Sequence, residues 1–394
     1  MPFAFRHQPL RTMFILGGVI YILVSLPVWL VLAAIPATRP RRSWSFKRAI
    51  FVRLLRPLLK IRYQTALPTP TPLTKFESDA KALGFVWVKA TPDLVVGEIR
   101  ELAEKNGVKA ERVGGFWYGP RGPDGEVGQP ASPGEKVVYH MHGGGHVLGS
   151  ANPKTEAKTL AQGYLDHLGP KVRVFAIEYR LSSAPPFQPA NPFPASLIDA
   201  ISGYRYLIED VGFDPGSIVL SGDSAGGGIA FNLARYLVAA HLPSLPKPGG
   251  IILSSPTVDW AQTHVGPKSS MVRNSQSDFV HAVLESGYPR RALVGRFPEE
   301  WAAQSAWISP GALNADWQPG MFSGFPRTVV LAGGAEYTLD GIHTLYERLV
   351  QDNGKDQIML IEPPDATHDV LVLEMYEPER TEVLQQLGTW VRTL

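Results

Sequence analysis

The chain has 394 residues, 44% of them hydrophobic and 10% aromatic, enough for a sizeable core; this composition excludes a disordered, collagen-like or coiled-coil polypeptide. It contains no cysteine, which excludes structural disulfides, thiolate metal sites and cysteine nucleophiles together. The net charge of +2 hides a split: 12 of the 38 basic residues and none of the 36 acidic ones lie between Met1 and Phe76, leaving 26 basic against 36 acidic behind. The basic front is interleaved with Leu, Ile and Phe rather than with polar residues, so it points to a lipid surface and not to nucleic acid.

Residues 13–35 carry no charge, and as a helix of 23 residues they would be about 34 Å long, enough for a bilayer core of about 30 Å. The sequence predicts an N-terminal membrane anchor over 1–38 with a transmembrane helix at about 13–35. A cleaved signal peptide is the competing reading, disfavoured by the length of the apolar run and the dense positive charge after it. By the positive-inside rule that charge puts the C-terminal bulk in the cytosol. Residues 39–75 read as a basic amphipathic juxtamembrane segment and a Pro-rich spacer. Ile50/Phe51, Leu54/Leu55 and Leu58/Leu59 recur every four residues, the stripe of a helix in the headgroup region, with a core-packed helix as the alternative. Pro57 is expected to bend or interrupt it.

Over 76–394 short apolar runs alternate with helical patterns. The runs are 136–141, 172–177, 218–220, 251–253, 328–331 and 358–361, with helices near 194–211, 227–240, 342–350 and 381–393. This alternation predicts an α/β fold with a mostly parallel central sheet covered on both faces, and a site at the carboxyl ends of the strands.

The run 218–220 leads into Gly222-Asp223-Ser224-Ala225-Gly226 and then a helical pattern. G-x-S-x-G between strand and helix is a nucleophile elbow, whose glycines relieve backbone crowding and whose serine stands exposed at a helix N-terminus. After the run 136–141 comes His142-Gly143-Gly144-Gly145, in which glycines let N–H groups face a developing oxyanion. Gly143, Gly144 and Ala225 are the predicted donors. No G-K-S/T follows the triplet, which excludes a P-loop. In the chain order serine, acid, histidine, the base is predicted to be His368, in the loop after the run 358–361. The acid is Glu336, at the end of the run 328–331; Asp340 is the alternative, with helix N-capping as its bland role. Such a triad needs no metal and no organic cofactor.

These residues resemble the hormone-sensitive-lipase-like branch of the α/β hydrolases, including arylacetamide deacetylase and fungal steryl deacetylases. The resemblance covers about 137–368 and also rests on Gly149-Ser150, Glu178-Tyr179-Arg180, Phe193-Pro194-Ala195 and Ser309-Pro310. It implies the α/β-hydrolase fold, ester hydrolysis through Ser224, Glu336 and His368, and a helical cap, to which about 76–130 and 256–325 would contribute. It also implies a lipophilic ester substrate and, from the anchored members, the endoplasmic reticulum membrane with the catalytic body in the lumen, against the positive-inside reading. Two departures stand out: glutamate opens Glu336-Tyr337-Thr338-Leu339-Asp340 where the family has D-x-L-x-D, and His146 replaces an aromatic residue and is expected to line the pocket. A non-catalytic ligand-binding or scaffold protein on this fold is the competing function; related receptors lose the histidine that stands here at 368.

Overall fold

The computed structural model describes residues 2–394. Eight strands build one sheet: β1 (Phe85–Val88), β2 (Val113–Tyr118), β3 (Lys136–Met141), β4 (Val172–Glu178), β5 (Ile218–Asp223), β6 (Gly250–Ser254), β7 (Arg327–Leu331) and β8 (Ile358–Ile361). Their order is β1-β2-β4-β3-β5-β6-β7-β8. From β3 onward all neighbours are parallel, while β2 is antiparallel to both β1 and β4. The helices, in chain order, are α1 (Leu10–Ala34), α2 (Phe46–Thr65), α3 (Ala80–Leu83), α4 (Gly97–Asn106), α5 (Ala157–His167), α6 (Ala195–Arg205) and α7 (Ala225–Ala240). The short α8 (Ser270–Arg273), α9 (His281–Glu285), α10 (Tyr288–Val294) and α11 (Trp301–Gln304) follow, then α12 (Leu339–Asn353) and α13 (Glu379–Val391).

Side chains alternate across the strands. Val137, Tyr139 and Met141 enter the core shared with α6, α7 and α12, whereas Val138 enters the one shared with α5 and α13. Both faces of the sheet are therefore covered, which is why these strands read as continuous apolar runs rather than as alternating ones. The mixed, mostly parallel sheet with flanking helices is an α/β-hydrolase architecture.

The segment 76–130, expected in the cap, instead supplies β1 and β2 at the sheet edge. The sequence hides them because Gly114 and Gly115 stand in β2, where a Cβ would collide with the rings of Phe85 and Phe175. Within that segment α4 reaches the insertion between β6 and β7: the Asn106 amide donates to the carbonyls of Phe193 and Val294 and accepts from Arg296 N.

The N-terminal region is a helical hairpin. Among the described residues, α1 is the one helix long and apolar enough to cross a membrane, and it leaves Leu16, Ile20, Leu23, Val24 and Val31 exposed. It lies against α2, with Gly18 on Ile61 and the Trp29 carbonyl accepting from Arg53 Nη1. α2 differs from the expected broken interfacial helix: it runs unbroken through Pro57 and buries Ala49, Val52 and Tyr63 against the body. Packing on both sides offsets the one N–H that proline removes. Arg48, instead of facing lipid headgroups, sits 2.8 Å from Glu379 and over the Tyr376 ring. In the turn between the helices Trp44 is fully buried and donates from Nε1 to the Asp365 carbonyl at 2.7 Å.

Candidate active site

β5 ends at Asp223 and α7 starts at Ala225, so one residue must reverse the chain. Ser224 does so at φ 52°, ψ −119°, a conformation that non-glycine residues hold only when their surroundings enforce it. Here the Ser224 N–H donates to the Ser254 carbonyl, and its own carbonyl accepts from Gly227 N and Thr257 N. A Cβ at Gly222 would collide with the Gly226 backbone, and one at Gly226 with the Met141 carbonyl. The glycine spacing is thus a steric requirement of the turn.

The loops leaving β7 and β8 bring two more groups to this serine. His368 Nε2 is 2.8 Å from Ser224 Oγ, and His368 Nδ1 is 3.1 Å from Glu336 Oε2. The other Glu336 oxygen accepts from Ser255 Oγ at 2.6 Å and from Gly333 N. When neutral, an imidazole held so would carry its proton on Nδ1, toward Glu336, and turn the Nε2 lone pair to the hydroxyl. Asp340 is turned elsewhere: its carboxylate accepts from Ser270 N at 2.7 Å and pairs with Arg273, and it is the second residue of α12, inside the helix and not at its cap position.

Four other histidines lie outside the triad. His264 bonds Asp259 and Thr344, and His343 bonds Glu362. His142 stacks on Tyr179, and burial pushes its imidazole down to about 4. His146, expected at the pocket, is buried behind it between Tyr179 and Trp260, where burial pushes it down to about 3. It borders a separate small space with Phe193, Trp260 and Trp307 and not the cavity over Ser224, on a left-handed backbone at φ 63°.

The glycine loop corrects a second expectation. Gly143 N–H donates to Asp223 Oδ2 at 3.0 Å and is already engaged. Gly144 and Gly145 border the cavity beside Ser224, and among the described residues neither N–H has a partner. The Ala225 N–H opens α7, where no residue of the preceding turn can accept it. The available donors are therefore Gly144, Gly145 and Ala225, one residue later in the triplet than the sequence reading. Asp223 ties the loop down, with Oδ1 3.0 Å from His140 Nε2, and the Tyr179 hydroxyl donates to the His142 carbonyl at 2.7 Å.

Four contributors escaped the sequence reading. Ser255 bridges Glu336 and the Asp369 N–H, and Asp278, fully buried, accepts from Tyr337 N beside the acid. Asp369 places Oδ2 3.4 Å from His368 Nε2 at φ 58°. Burial disfavours charge on His368, but Asp369 and Glu336 outweigh it and push the imidazole up to about 10. Burial also raises the Asp369 carboxyl well above the usual carboxylate range, against the pull of His368. The fourth is α2. The cavity over the serine, about 140 Å³, is bounded by Gly144, Trp260, Phe279 and Val283 and, from α2, by Leu59 and Tyr63. Adjacency to His368 was a signal for Asp369; nothing local marks Leu59 or Tyr63.

A hydroxyl on an imidazole, a carboxylate behind it and free N–H donors alongside can carry out acyl transfer. The family model of the alpha/beta hydrolase fold matches residues 138–372. The chain is 26% identical over 268 residues to Esterase LipU of Mycobacterium tuberculosis, covering 67% of this chain and 80% of that one. It is 26% identical over 265 residues to an acetyl-hydrolase of Streptomyces hygroscopicus, covering 67% and 78%. Among solved structures, an esterase from the bacterial hormone-sensitive lipase family superposes with a TM-score of 0.54 at 22% identity, over 87% of this chain and 97% of that one. A hyperthermophilic esterase from the archaeon Pyrobaculum calidifontis gives 0.58 at 18%, with the same coverage. The chain belongs to the alpha/beta hydrolase fold family, as a serine hydrolase of the carboxylesterase and lipase type.

Proposed function

We propose that this protein is a membrane-anchored carboxylesterase or deacetylase of the hormone-sensitive-lipase-like branch, similar to the arylacetamide and steryl deacetylases, acting on short-acyl esters of lipophilic alcohols. Ser224 Oγ attacks the ester carbonyl while His368 takes its proton and passes it to the leaving alkoxide. Water then repeats the sequence on the acyl-serine, releasing the acid and restoring the hydroxyl. Glu336 holds the imidazole tautomer. Gly144, Gly145 and Ala225 hold the oxyanion, each donor contributing about 3 kcal/mol to the transition state.

One observation carries the lipid-phase reading: α2, packed on the exposed apolar helix α1, also lines the catalytic cavity through Leu59 and Tyr63. Cavity and anchor are the two sides of one helix. An exposed apolar face as extensive as that of α1 calls for a lipid or protein cover. In this reading 1–38 is the anchor, 39–75 is the basic segment joining it to the site, and 76–394 is the hydrolase. The resemblance to the anchored deacetylases supports the endoplasmic reticulum as the membrane in this reading, with the side of the catalytic body left open. A cavity of about 140 Å³ is close to the volume that accommodates benzene, about 150 Å³, and so favours acetyl over long acyl groups.

The test is the full chain in phosphatidylcholine vesicles. A fluorophosphonate should label it at Ser224, nitrophenyl acetate should turn over faster than nitrophenyl decanoate, and the protein should stay with the vesicles after a carbonate wash. Release into the wash would overturn the anchor, and preference for decanoate would overturn the deacetylase assignment.

A further inference from the structure

We propose that the cleft between α1 and α2 is a binding site for an acyl chain carrying an anionic head group, separate from the catalytic cavity. Its volume is about 800 Å³, within the range of about 300–1,000 Å³ for ligand sites. One wall is apolar, from Phe14, Tyr21 and Trp29 of α1. The other presents Arg53, Arg56 and Lys60 of α2, and no acidic side chain lines the space. Asp278 and Glu285 are the acids whose field reaches Arg56, and neither borders the cleft. A chain of methylenes fits the first wall and a carboxylate or phosphate the second.

The polar groups there are unfinished. Arg56 Nη1 donates to Gln276 Oε1 at 2.7 Å, but its Nε is buried without a partner, as is His281 Nδ1 at the same wall. Burial, then Arg56 and Lys60, push the His281 imidazole down to about 4, so it sits neutral beside two cationic side chains. The helices approach closely at Gly18, where a Cβ would strike Ile61, yet at Gly17 no atom lies within 4 Å of a Cβ position. The cleft opens beside that contact.

Position gives the site a consequence. Leu59 and Tyr63, four residues apart, face the catalytic cavity, while Arg56 and Lys60, also four apart, face the cleft. Lys60 and His281 border a further pocket of about 650 Å³ that reaches Tyr63. A lipid seated in the cleft is thus one helix away from the scissile ester. The inference rests on the membrane reading in that a bilayer supplies the ligand.

The test uses the full chain in dodecyl maltoside with a diazirine-bearing oleate, followed by proteolysis and mass spectrometry. Adducts are expected on residues 13–21 and 53–61. Gly17→Trp, which fills the open space, and Arg56→Gln with Lys60→Gln, which remove the charge, should each lower them at least fivefold, with circular dichroism verifying the fold. Should Gly17→Trp not fold, the charge variant decides. Competition by phosphatidylglycerol and not phosphatidylcholine assigns the head group to a phospholipid; competition by oleate alone assigns it to a free carboxylate. Adducts spread evenly along the exposed face of α1, or insensitive to both variants, would overturn the site. Failure of the anchor is distinguishable, because carbonate release with cleft labelling retained removes the membrane reading alone.

Discussion

The catalytic floor and the helical hairpin above it meet at one cavity but are built on opposite plans. On the floor the triad and its supports are tied by directional bonds: Glu336 accepts from Ser255, Gly333 and His368, Asp223 fixes the glycine loop, and the turn at Ser224 is held by three backbone hydrogen bonds. The hairpin borders the cavity with Leu59 and Tyr63 and makes no hydrogen bond to Ser224, His368 or Glu336. Directional bonds fix geometry to tenths of an ångström, which chemistry at an ester carbonyl requires, whereas apolar contact sets only the volume available. Changes on the floor should therefore act on turnover, and changes on the hairpin on choice of substrate. Trp44 is where the plans touch, since its indole bonds the loop carrying His368.

The largest effect that tests this division is loss of the hydroxyl. Ser224→Ala should lower kcat by about 10⁴-fold or more and abolish fluorophosphonate labelling, with little change in thermal midpoint. Next come the two acids: Glu336→Gln should lower kcat about 10³-fold by spoiling the tautomer, while Asp340→Asn should stay within about threefold. A larger loss at Asp340 would show that the floor is wired differently. On the hairpin, Leu59→Trp should reduce kcat/KM for butyrate relative to acetate about tenfold and leave acetate turnover nearly intact. An equal loss for both esters would break the comparison.

The smallest effect concerns proton balance at His368. Glu336, Asp369, Asp278 and, around Asp369, Asp223 are the charged groups facing it, and together they hold its imidazole high, at about 10. A raised pKa keeps the base protonated, so activity should climb with pH across the neutral and alkaline range. Asp369→Asn removes one carboxylate, lowers the imidazole pKa and should move the acidic limb of kcat/KM about one unit toward lower pH. No displacement, or one toward higher pH, would show that Asp369 does not share the proton of His368.

Much of the floor was legible because its residues are local. Two glycines around Ser224 and three after His142 are steric demands written within five residues, and the six parallel strands show as apolar runs since both faces are covered. β2 was obscured by the two glycines that admit the rings of Phe85 and Phe175, and β1 is only four residues long. The Gly143 N–H, expected to be a free donor, is taken by Asp223, itself inside the elbow motif. His146 looked like a pocket residue by position, yet it packs beside Trp260 and borders a separate small space.

By itself the sequence determined the fold class, the elbow, the glycine loop and the division between a basic, apolar front and an acidic body. All of these depend on spacing along the chain or on composition, to which short-range sterics and solvation respond directly. Tertiary structure decided which carboxylate reaches His368, which N–H groups are free, and that α2 walls the cavity instead of lying apart from it. Those outcomes join residues far apart in sequence, Leu59 with Ser224 and Asp278 with Tyr337, and only packing of the whole chain selects among such pairings.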